Sequence, residues 1–539
     1  MSPGLLSAGL GLVPAQQTYL DISQGNRVFD SLYDSGLPRD VLGGMCGPGY
    51  SRAVVERAES APADIEPGLL AATLHAAGEG CAVRSLKLPA LAKLVRGLRD
   101  NDLVIAIERA PPGKNQALTV GIAGSGFSGD LTSDSTRTDG YVLSTDIAPT
   151  ILERFGLAVP SAMSGQPIRA EGNVDVAAIE SLAARMSAIS GRRGPVIGVG
   201  LLVWFLVLAL SVLFTRGRAA RAGVKLLGLS VVYLPLVLLI GAALEPSQAA
   251  ERLLVVMAAP ALAAATFAVL RGYRALALAS GLVVLSYAVD MIAGSGLTTL
   301  SLLGPNPGLG VRFYGIGNEL EALLGVLVVA GTGAALQGFG PRLSARARAA
   351  SFLGSGFFFA LVFAAGRFGA DVGAAIVLPI GAAVAASRVA TPRRRAALLI
   401  TAAALAFVGL IAAIDLVTGA NAHLTRSVLD AGGLDDLANV AQRRLQLSAH
   451  SFLRPVLLVF LPLVAALAAL AVLRRDWLRG LLEKSPAIEA GLLGALAATL
   501  AGTLANDSGA LILEIGTAYL LVFATFSWAE ETRKRDLPA

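Results

Sequence analysis

The sequence has few charged residues for its length. Only 15% of its 539 residues are Asp, Glu, Lys or Arg and 55% are apolar, whereas about a quarter of the residues of a soluble globular protein are charged. Histidine occurs three times and cysteine twice. This composition excludes a cytosolic enzyme, and two cysteines allow at most one internal disulfide.

The apolar residues are concentrated in the second part of the chain. From Val196 onward they form runs of about 17–23 residues, the length of a helix that crosses a hydrocarbon core of roughly 30 Å. No run before Gly194 is long enough. The sequence therefore predicts a water-soluble domain over residues 1–190, a transmembrane helical domain over 196–528 and a short tail over 529–539.

Eleven segments are predicted to cross the membrane, each bounded by charged residues or by Gly and Pro. They lie at about 196–214, 226–244, 253–270, 275–295, 318–336, 350–366, 371–387, 396–417, 455–473, 487–504 and 508–528. One set of alternate loops holds 20 Lys and Arg residues and the other holds 7. Because basic loops stay in the cytoplasm, we expect a plasma-membrane protein with a cytoplasmic C-terminus and an extracytoplasmic N-terminal domain.

The distribution of charge argues against a nucleic-acid partner. Residues 1–195 hold 17 Lys and Arg against 20 Asp and Glu, and the remainder holds 27 against 18. The positive excess of the chain thus belongs to the membrane half and reflects topology, whereas nucleic-acid binding would need a basic face on the soluble domain. The partners predicted from the sequence are membrane lipids.

The N-terminal sequence does not explain how its domain would be exported. Residues 1–16 lack the basic start and the full apolar core of a signal peptide. We expect a start upstream of Met1; the alternative is that the first span carries the domain across. Cys46 and Cys81 both lie in this domain, where they form one disulfide in an oxidising compartment or are two unpaired small apolar residues.

The soluble domain has an α/β pattern. Residues 102–107 (DLVIAI) and 117–122 (ALTVGI) predict short strands. Residues 144–155 predict a turn followed by a helix, with Asp146 as its N-cap and Pro149 in its first turn. Strands that alternate with helices favour a layered α/β domain.

One stretch of this domain is more specific. Residues 140–168, GYVLSTDIAPTILERFGLAVPSAMSGQPI, together with the preceding strand and the turn AGSGF at 123–127, resemble the late part of the alkaline phosphatase/sulfatase superfamily. The resemblance covers roughly residues 65–170. It implies a partial alkaline-phosphatase-like fold.

The ligands that this superfamily uses for metal ions are missing. Its enzymes bind metals through Asp and His, yet the strand DLVIAI is followed by Glu108 and Arg109 instead of an Asp-His pair. His75 is the only histidine of the domain, and it is expected to pack among alanines. The resemblance therefore implies a non-catalytic relative that serves binding or scaffolding, without a metal ion or cofactor; whether the whole chain is an enzyme stays open.

Ionisable residues in the membrane half fall at the predicted outer ends of the spans. Because such residues are costly inside a membrane, they are functional candidates. Three Gly-rich or polar motifs lie at the same ends: GPNPGLGVRFYGIGNELE at 304–321, GRFGADVG at 366–373 and ANDSG at 505–509. RFYGIGNE, GADVG and NDSG resemble patterns that recur in uncharacterised bacterial membrane proteins.

These motifs predict a substrate site at the outer face. Arg312 could pair with a phosphate group through two hydrogen bonds, and glycines let the backbone approach a ligand closely. The alternative is that each motif is a tight turn whose polar side chains cap helix ends. The candidate substrate-binding residues are Arg312, Tyr314, Asn318, Glu319, Arg367, Asp371, Asp290, Asp415, Asn506, Asp507 and Glu514; no catalytic residue is assigned.

The longest outer loop, 419–454, contains a helical pattern over 434–447. Its leucines share one face, which suits a helix lying on the membrane surface or a lid packed on the bundle. His423 and His450 flank this pattern and are expected to be solvated.

Three hypotheses of function follow. The first is an envelope protein that binds or processes a phosphate-bearing or lipid-linked substrate at the outer face. The second is a transporter or flippase in which Asp290, Asp371, Asp415 and Glu514 couple ions. The third is a non-catalytic scaffold for envelope enzymes.

Overall fold

A computed structural model describes the chain except residues 38–40, 42–43, 48, 62, 110–113, 215–216, 391–444, 447, 454–459 and 536–539. It divides into two units. The first, here called the α/β unit, comprises Met1–Ser190 together with Asn306–Tyr314; the second, the helical unit, comprises Gly191–Pro305 and Gly315–Ala539. The α/β unit therefore includes a segment that the sequence placed in the transmembrane domain.

A four-stranded mixed sheet forms the centre of the α/β unit. The strands of the unit are β1 (Ser2–Ser7), β2 (Val13–Pro14), β3 (Val104–Ile107), β4 (Lys114–Asn115), β5 (Ala117–Ala123), β6 (Asp130–Ser133), β7 (Tyr141–Leu143) and β8 (Ile168–Glu171). The order in the central sheet is β3-β5-β1-β7. β1 runs parallel to β7 and antiparallel to β5, which is also antiparallel to β3.

The α/β unit also has five short helices in its described residues: α1 (Ala15–Gln24), α2 (Arg52–Glu59), α3 (Leu69–Ala76), α4 (Leu88–Arg96) and α5 (Ile147–Arg154). The sheet contributes Leu6, Ile122 and Val142 to the core, and α5 contributes Ile147. The predicted strands at 102–107 and 117–122 and the predicted helix after 144 are thus present. Strand β1 was not predicted, because Pro3 and Gly4 weaken the pattern of an apolar strand.

Cys46 and Cys81 form a disulfide with a Cα–Cα distance of 5.5 Å. The bond joins the loop before α2 to the segment after α3. Of the two possibilities that the sequence left open, the structure contains the disulfide.

The helical unit consists mainly of long apolar helices. Its helices are α6 (Val176–Phe214, which begins in the α/β unit), α7 (Arg218–Leu244), α8 (Gln248–Val269), α9 (Tyr273–Ile292), α10 (Gly296–Leu300), α11 (Asn318–Phe339), α12 (Ala345–Ala364), α13 (Val372–Val389), α14 (Leu461–Leu473), α15 (Arg475–Leu482), α16 (Pro486–Ala505) and α17 (Gly509–Arg535). Nine of them, within the part of the chain that the structure describes, are long and apolar enough to cross a membrane. These nine support a multi-pass membrane protein.

The nine helices match nine of the eleven predicted spans. The span predicted at 396–417 lies outside the described residues, as do Asp415 and most of the helical pattern at 434–447. The span predicted at 455–473 is represented by α14, which has 13 residues. A total of eleven therefore stays a prediction. At the C-terminus, α17 continues through the predicted start of the tail at residue 529.

Candidate functional site

Two of the polar motifs meet at one end of the helical unit, where α11 begins and α16 ends. The amide nitrogen Nδ2 of Asn506 donates hydrogen bonds to Glu321 Oε2 at 2.7 Å and to Asn318 Oδ1 at 3.1 Å. Asn318 Nδ2 in turn donates to Asp507 Oδ1 at 3.2 Å. We call these four residues the carboxylate–amide cluster, and the end of the helices where they lie the cluster end.

The third motif, GRFGADVG, reaches the same place through Gly373 in the first turn of α13. A Cβ atom at Gly373 would lie 2.4 Å from each carboxylate oxygen of Glu321, and one at Gly502 of α16 would lie 3.5 Å from Oε1. The absence of side chains at these two positions therefore makes room for the buried carboxylate. Asp371 is buried too, and its carboxylate accepts a hydrogen bond from the amide of Ala374 at 3.1 Å as the N-cap of α13.

The turn that carries Asn506 is held by its own hydrogen bonds. Asn506 Oδ1 accepts a bond from the amide of Ser508 at 3.0 Å, which is an Asx turn. The buried Ser451 hydroxyl accepts a bond from the amide of Ala510 at 3.0 Å, and the Ser448 hydroxyl donates to the carbonyl of Thr503. These hydrogen bonds hold the side-chain amide of Asn506 in one orientation.

Glu319 has a partner that the sequence analysis missed. Arg193 Nη1 lies 2.9 Å from Glu319 Oε1, and Arg193 Nη2 donates to the carbonyl of Gly304 at 2.6 Å. Its neighbour Arg192 pairs with the buried Glu251 at 3.4 Å. The sequence offered one sign of this ion pair, the two adjacent arginines just before the first predicted span. Counting basic residues to assign the membrane topology treats such arginines as loop residues and does not predict a partner for them.

Asp290 has a local role in the structure. Its carboxylate accepts hydrogen bonds from the amides of Leu297 at 3.1 Å and Thr298 at 2.8 Å, and the residue is 8% exposed. It therefore holds the turn between α9 and α10. None of its described hydrogen bonds goes to the carboxylate–amide cluster.

The remaining described candidates belong to other elements of the chain. Arg312 and Tyr314 belong to the α/β unit, where the Arg137 guanidinium lies 4.1 Å from the centre of the Tyr314 ring. Arg367 is exposed in the turn before α13. Glu514 lies in the second turn of α17, which begins at Gly509. Its Oε1 atom is buried and makes no hydrogen bond to the residues that the structure describes.

Segment 306–314 is held in the α/β unit by hydrogen bonds across long stretches of sequence. The Tyr141 hydroxyl donates to the carbonyl of Pro307 at 2.9 Å, and the amide of Gly11 donates to the carbonyl of Leu309 at 2.7 Å. Gly310 has a φ of 69°, and a Cβ atom there would lie 2.0 Å from the carbonyl oxygen of Gly9. The glycines of this motif therefore serve close backbone packing.

Two carboxyl groups of the α/β unit, those of Asp21 and Asp146, are buried, which the sequence analysis did not predict. Asp21 of α1 accepts a hydrogen bond from Gln17 Nε2 at 2.7 Å, and burial raises the pKa of Asp21 to about 8 despite the Arg27 guanidinium nearby. Asp146 accepts hydrogen bonds from the hydroxyls of Ser133 and Ser135 and from the amides of Leu143 and Gln166. It occupies the predicted N-cap position of α5, but its side chain makes no cap hydrogen bond there.

Carboxylates also lie at the opposite end of the helical unit, in the part of α17 beyond residue 528, where the last predicted span ends. Glu530 and Glu531 of α17 are 2% and 3% exposed. Glu530 pairs with Lys225 at 3.1 Å, and Glu531 Oε1 accepts a hydrogen bond from the Tyr273 hydroxyl at 3.0 Å. These contacts join α17 to α7 and α9, and they are satisfied without a ligand.

No family model, curated protein or solved structure matches the chain. Among the residues that the structure describes, there is no group of three or more His, Cys, Asp or Glu side chains placed to hold a metal ion.

Proposed function

We propose that this multi-pass membrane protein binds the polar head of a phosphate-bearing or lipid-linked envelope substrate at the cluster end of its helices, which faces the outside of the plasma membrane. The observation that carries the proposal is the meeting of three separate motifs around Glu321. Two helix starts and one helix end bring two carboxamides and two carboxylates together. If each motif were only a tight turn whose side chains cap a helix end, the three motifs would have no reason to meet around one residue.

The charge of the carboxylate–amide cluster indicates which chemical groups of the substrate head it would bind. Glu321 and Asp507 contribute two carboxyl groups to the cluster, whereas Arg193 lies 2.9 Å from Glu319, which is not one of its four residues. Carboxylates and carboxamides bind hydroxyl and ammonium groups, and the two carboxylates repel a phosphate. We therefore assign hydroxyl or amine groups of the head to the cluster, and the phosphate to Arg367, which is exposed in the turn before α13 of the same unit.

The α/β unit enters this proposal as a non-catalytic, alkaline-phosphatase-like domain outside the cell. Its disulfide between Cys46 and Cys81 supports an oxidising compartment. The unit holds segment 306–314, whose next residues lead directly into α11 and Asn318. Partner enzymes of the envelope, if the unit has a scaffolding role, would bind its exposed surface.

The test is native mass spectrometry of the purified full chain. We expect a discrete phosphate-bearing or polyprenyl lipid to copurify with the wild type and to be lost in Arg367→Ala and in Asp507→Asn. Arg346→Ala, an exposed arginine at the start of α12, serves as the control and should retain that lipid. If all four proteins carry only bulk phospholipid in equal amounts, the proposal is wrong and a scaffold is favoured.

Glu514 favours a second candidate, an ion-coupled transporter or flippase. A carboxylate within an apolar helix, with one buried oxygen that has no hydrogen-bond partner among the described residues, is suited to bind a proton or cation. Glu514→Gln should then abolish substrate-driven proton uptake in proteoliposomes while lipid copurification persists. Unchanged proton uptake in this variant would contradict the transporter hypothesis.

A further inference from the structure

Helix α14 presents apolar side chains on all sides. None of its residues is buried, and Leu463, Val472 and Leu473 are 57%, 67% and 80% exposed. Leu461, Val464 and Leu467 are half-buried where α14 contacts α17, and the rest of the helix is exposed among the residues that the structure describes. A helix that is apolar all round and largely exposed belongs in hydrocarbon. The end of α14 at Leu473 therefore marks the level at which the chain leaves the lipid tails.

Helix α15 follows at once and is strongly amphipathic. Leu481 is buried where α15 packs against α16 and α17, and Leu478 and Leu482 are half-buried. Trp477, on another face, is 52% exposed. Leucines on the protein side and an exposed tryptophan beside a lipid-facing helix are typical of a helix lying in the membrane interface.

The exposed face of α15 is rich in arginine. Arg474, Arg475, Arg479 and Lys484 lie within eleven residues that contain two acidic residues, Asp476 and Glu483. Asp476 lies 3.8 Å from both Arg475 and Arg479, whose side chains are 67% and 71% exposed. One carboxylate shared between two guanidinium groups leaves net positive charge facing the solvent.

We propose that the junction of α14 and α15 is a binding site for anionic phospholipid headgroups. The lipid phosphate contacts Arg475 and Arg479, Trp477 packs at the level of the glycerol backbone, and the acyl chains lie along α14. Guanidinium groups suit this role because they bind phosphate through paired hydrogen bonds, and charged residues near a membrane surface attract anionic lipids. The site lies at the end of the helices opposite the cluster end, so it is independent of the proposed substrate site.

The experiment uses the full chain in nanodiscs that contain phosphatidylcholine with a graded fraction of phosphatidylglycerol. The number of retained phosphatidylglycerol molecules is counted by native mass spectrometry after release. We expect Arg475→Gln/Arg479→Gln to lower the apparent affinity for phosphatidylglycerol on the order of tenfold at low salt, and the loss to shrink as salt rises. Asp476→Asn, which removes the competing carboxylate, should raise it.

The matched control is Arg342→Gln/Arg346→Gln. These two arginines are also exposed and lie at the same end of the helices, in the turn before α12 and in its first turn, so the change in charge is identical. Phosphatidylglycerol binding in this variant should stay close to the wild type. Equal loss in both double variants, no loss in either, or an equal loss of phosphatidylcholine would overturn the proposal.

Discussion

The hydroxyl of Tyr141 donates a hydrogen bond to the carbonyl oxygen of Pro307, 2.9 Å away in space and 166 residues away in sequence. Tyr141 is fully buried, and its ring also packs against Phe313, with ring centres 5.9 Å apart. Phe313 in turn lies beneath the Arg27 guanidinium at 5.1 Å. A single aromatic side chain of β7 thus fixes both halves of segment 306–314.

Replacing Tyr141 with Phe should loosen this segment. The change removes the donor and leaves the Pro307 carbonyl without this bond, at a cost of about 1 kcal/mol. Hydrogen–deuterium exchange of residues 306–314 should then become about fivefold faster. Tyr287→Phe is the control, because it deletes a similar bond to the carbonyl of Pro235 within the helical unit. Equal exchange in wild type and Tyr141→Phe would contradict the prediction.

The stability of the α/β unit should depend on pH through Asp21. Its pKa is raised to about 8 by burial, whereas it is about 3.9 in an unfolded chain. Between about pH 4 and pH 8 the folded protein keeps a proton that the unfolded chain releases. The free energy of unfolding therefore falls as pH rises through this range and levels off above it.

Asp21→Asn tests this dependence, because asparagine is neutral throughout and can still accept the hydrogen bond from Gln17. We expect the variant to be more stable than the wild type at pH 8 and nearly equal to it at pH 4.5, as measured by thermal unfolding of the full chain. A constant difference at both pH values would show that Asp21 is ionised in the folded protein.

The disulfide between Cys46 and Cys81 closes a stretch of 35 residues. Loop-closure entropy for this length predicts that it stabilises the α/β unit by about 3–4 kcal/mol. These are the only cysteines of the chain. Protein denatured without reductant should therefore contain no titratable thiol, and protein denatured with reductant should contain two. Cys46→Ala/Cys81→Ala should unfold at lower temperature. Two free thiols in unreduced protein would contradict the bond.

Gly373→Ala should destabilise the helical unit. The added methyl group would lie 2.4 Å from both oxygens of Glu321, and overpacking of this kind costs about 1–3 kcal/mol. Gly354→Ala in α12 is the control, since no atom lies within 4 Å of a Cβ there, so this variant should be neutral or slightly stabilised. The measurement is the melting temperature of each variant relative to the wild type in the same detergent. If both variants melt at the same temperature, the side chain of Glu321 can move away from the added methyl group.

Long helices were the easiest feature to predict. The nine described spans follow from runs of apolar residues, since a helix in lipid must satisfy its backbone internally and needs a fixed length to cross. β1 was missed because its place in the sheet depends on pairing with residues more than a hundred positions away. Segment 306–314 was assigned to the membrane domain for the same reason, since local sequence does not record distant partners.

The candidate site was predictable only in part. Asn318, Asn506 and Asp507 come together as their shared depth in neighbouring spans suggested. Glu321 was recognised as polar but not as the centre, because that depends on which helix faces present Gly373 and Gly502. Asp290 could not be distinguished from the others by sequence, since a capping carboxylate and a ligand-binding carboxylate share the same residue type.

The position of segment 306–314 also orders the biosynthesis of the protein. The first part of the α/β unit ends at Ser190, and its second part begins at Asn306. Four long helices, α6 to α9, are completed in the interval before Asn306 is synthesised. At 5–20 residues per second this delay is roughly ten seconds. During that time the residues whose carbonyls pair with Tyr141 and Gly11 have not been synthesised. The nascent α/β unit therefore lacks segment 306–314 while the following helices are being translated and inserted into the bilayer. Chaperones and proteases on its side of the membrane would meet it in that state.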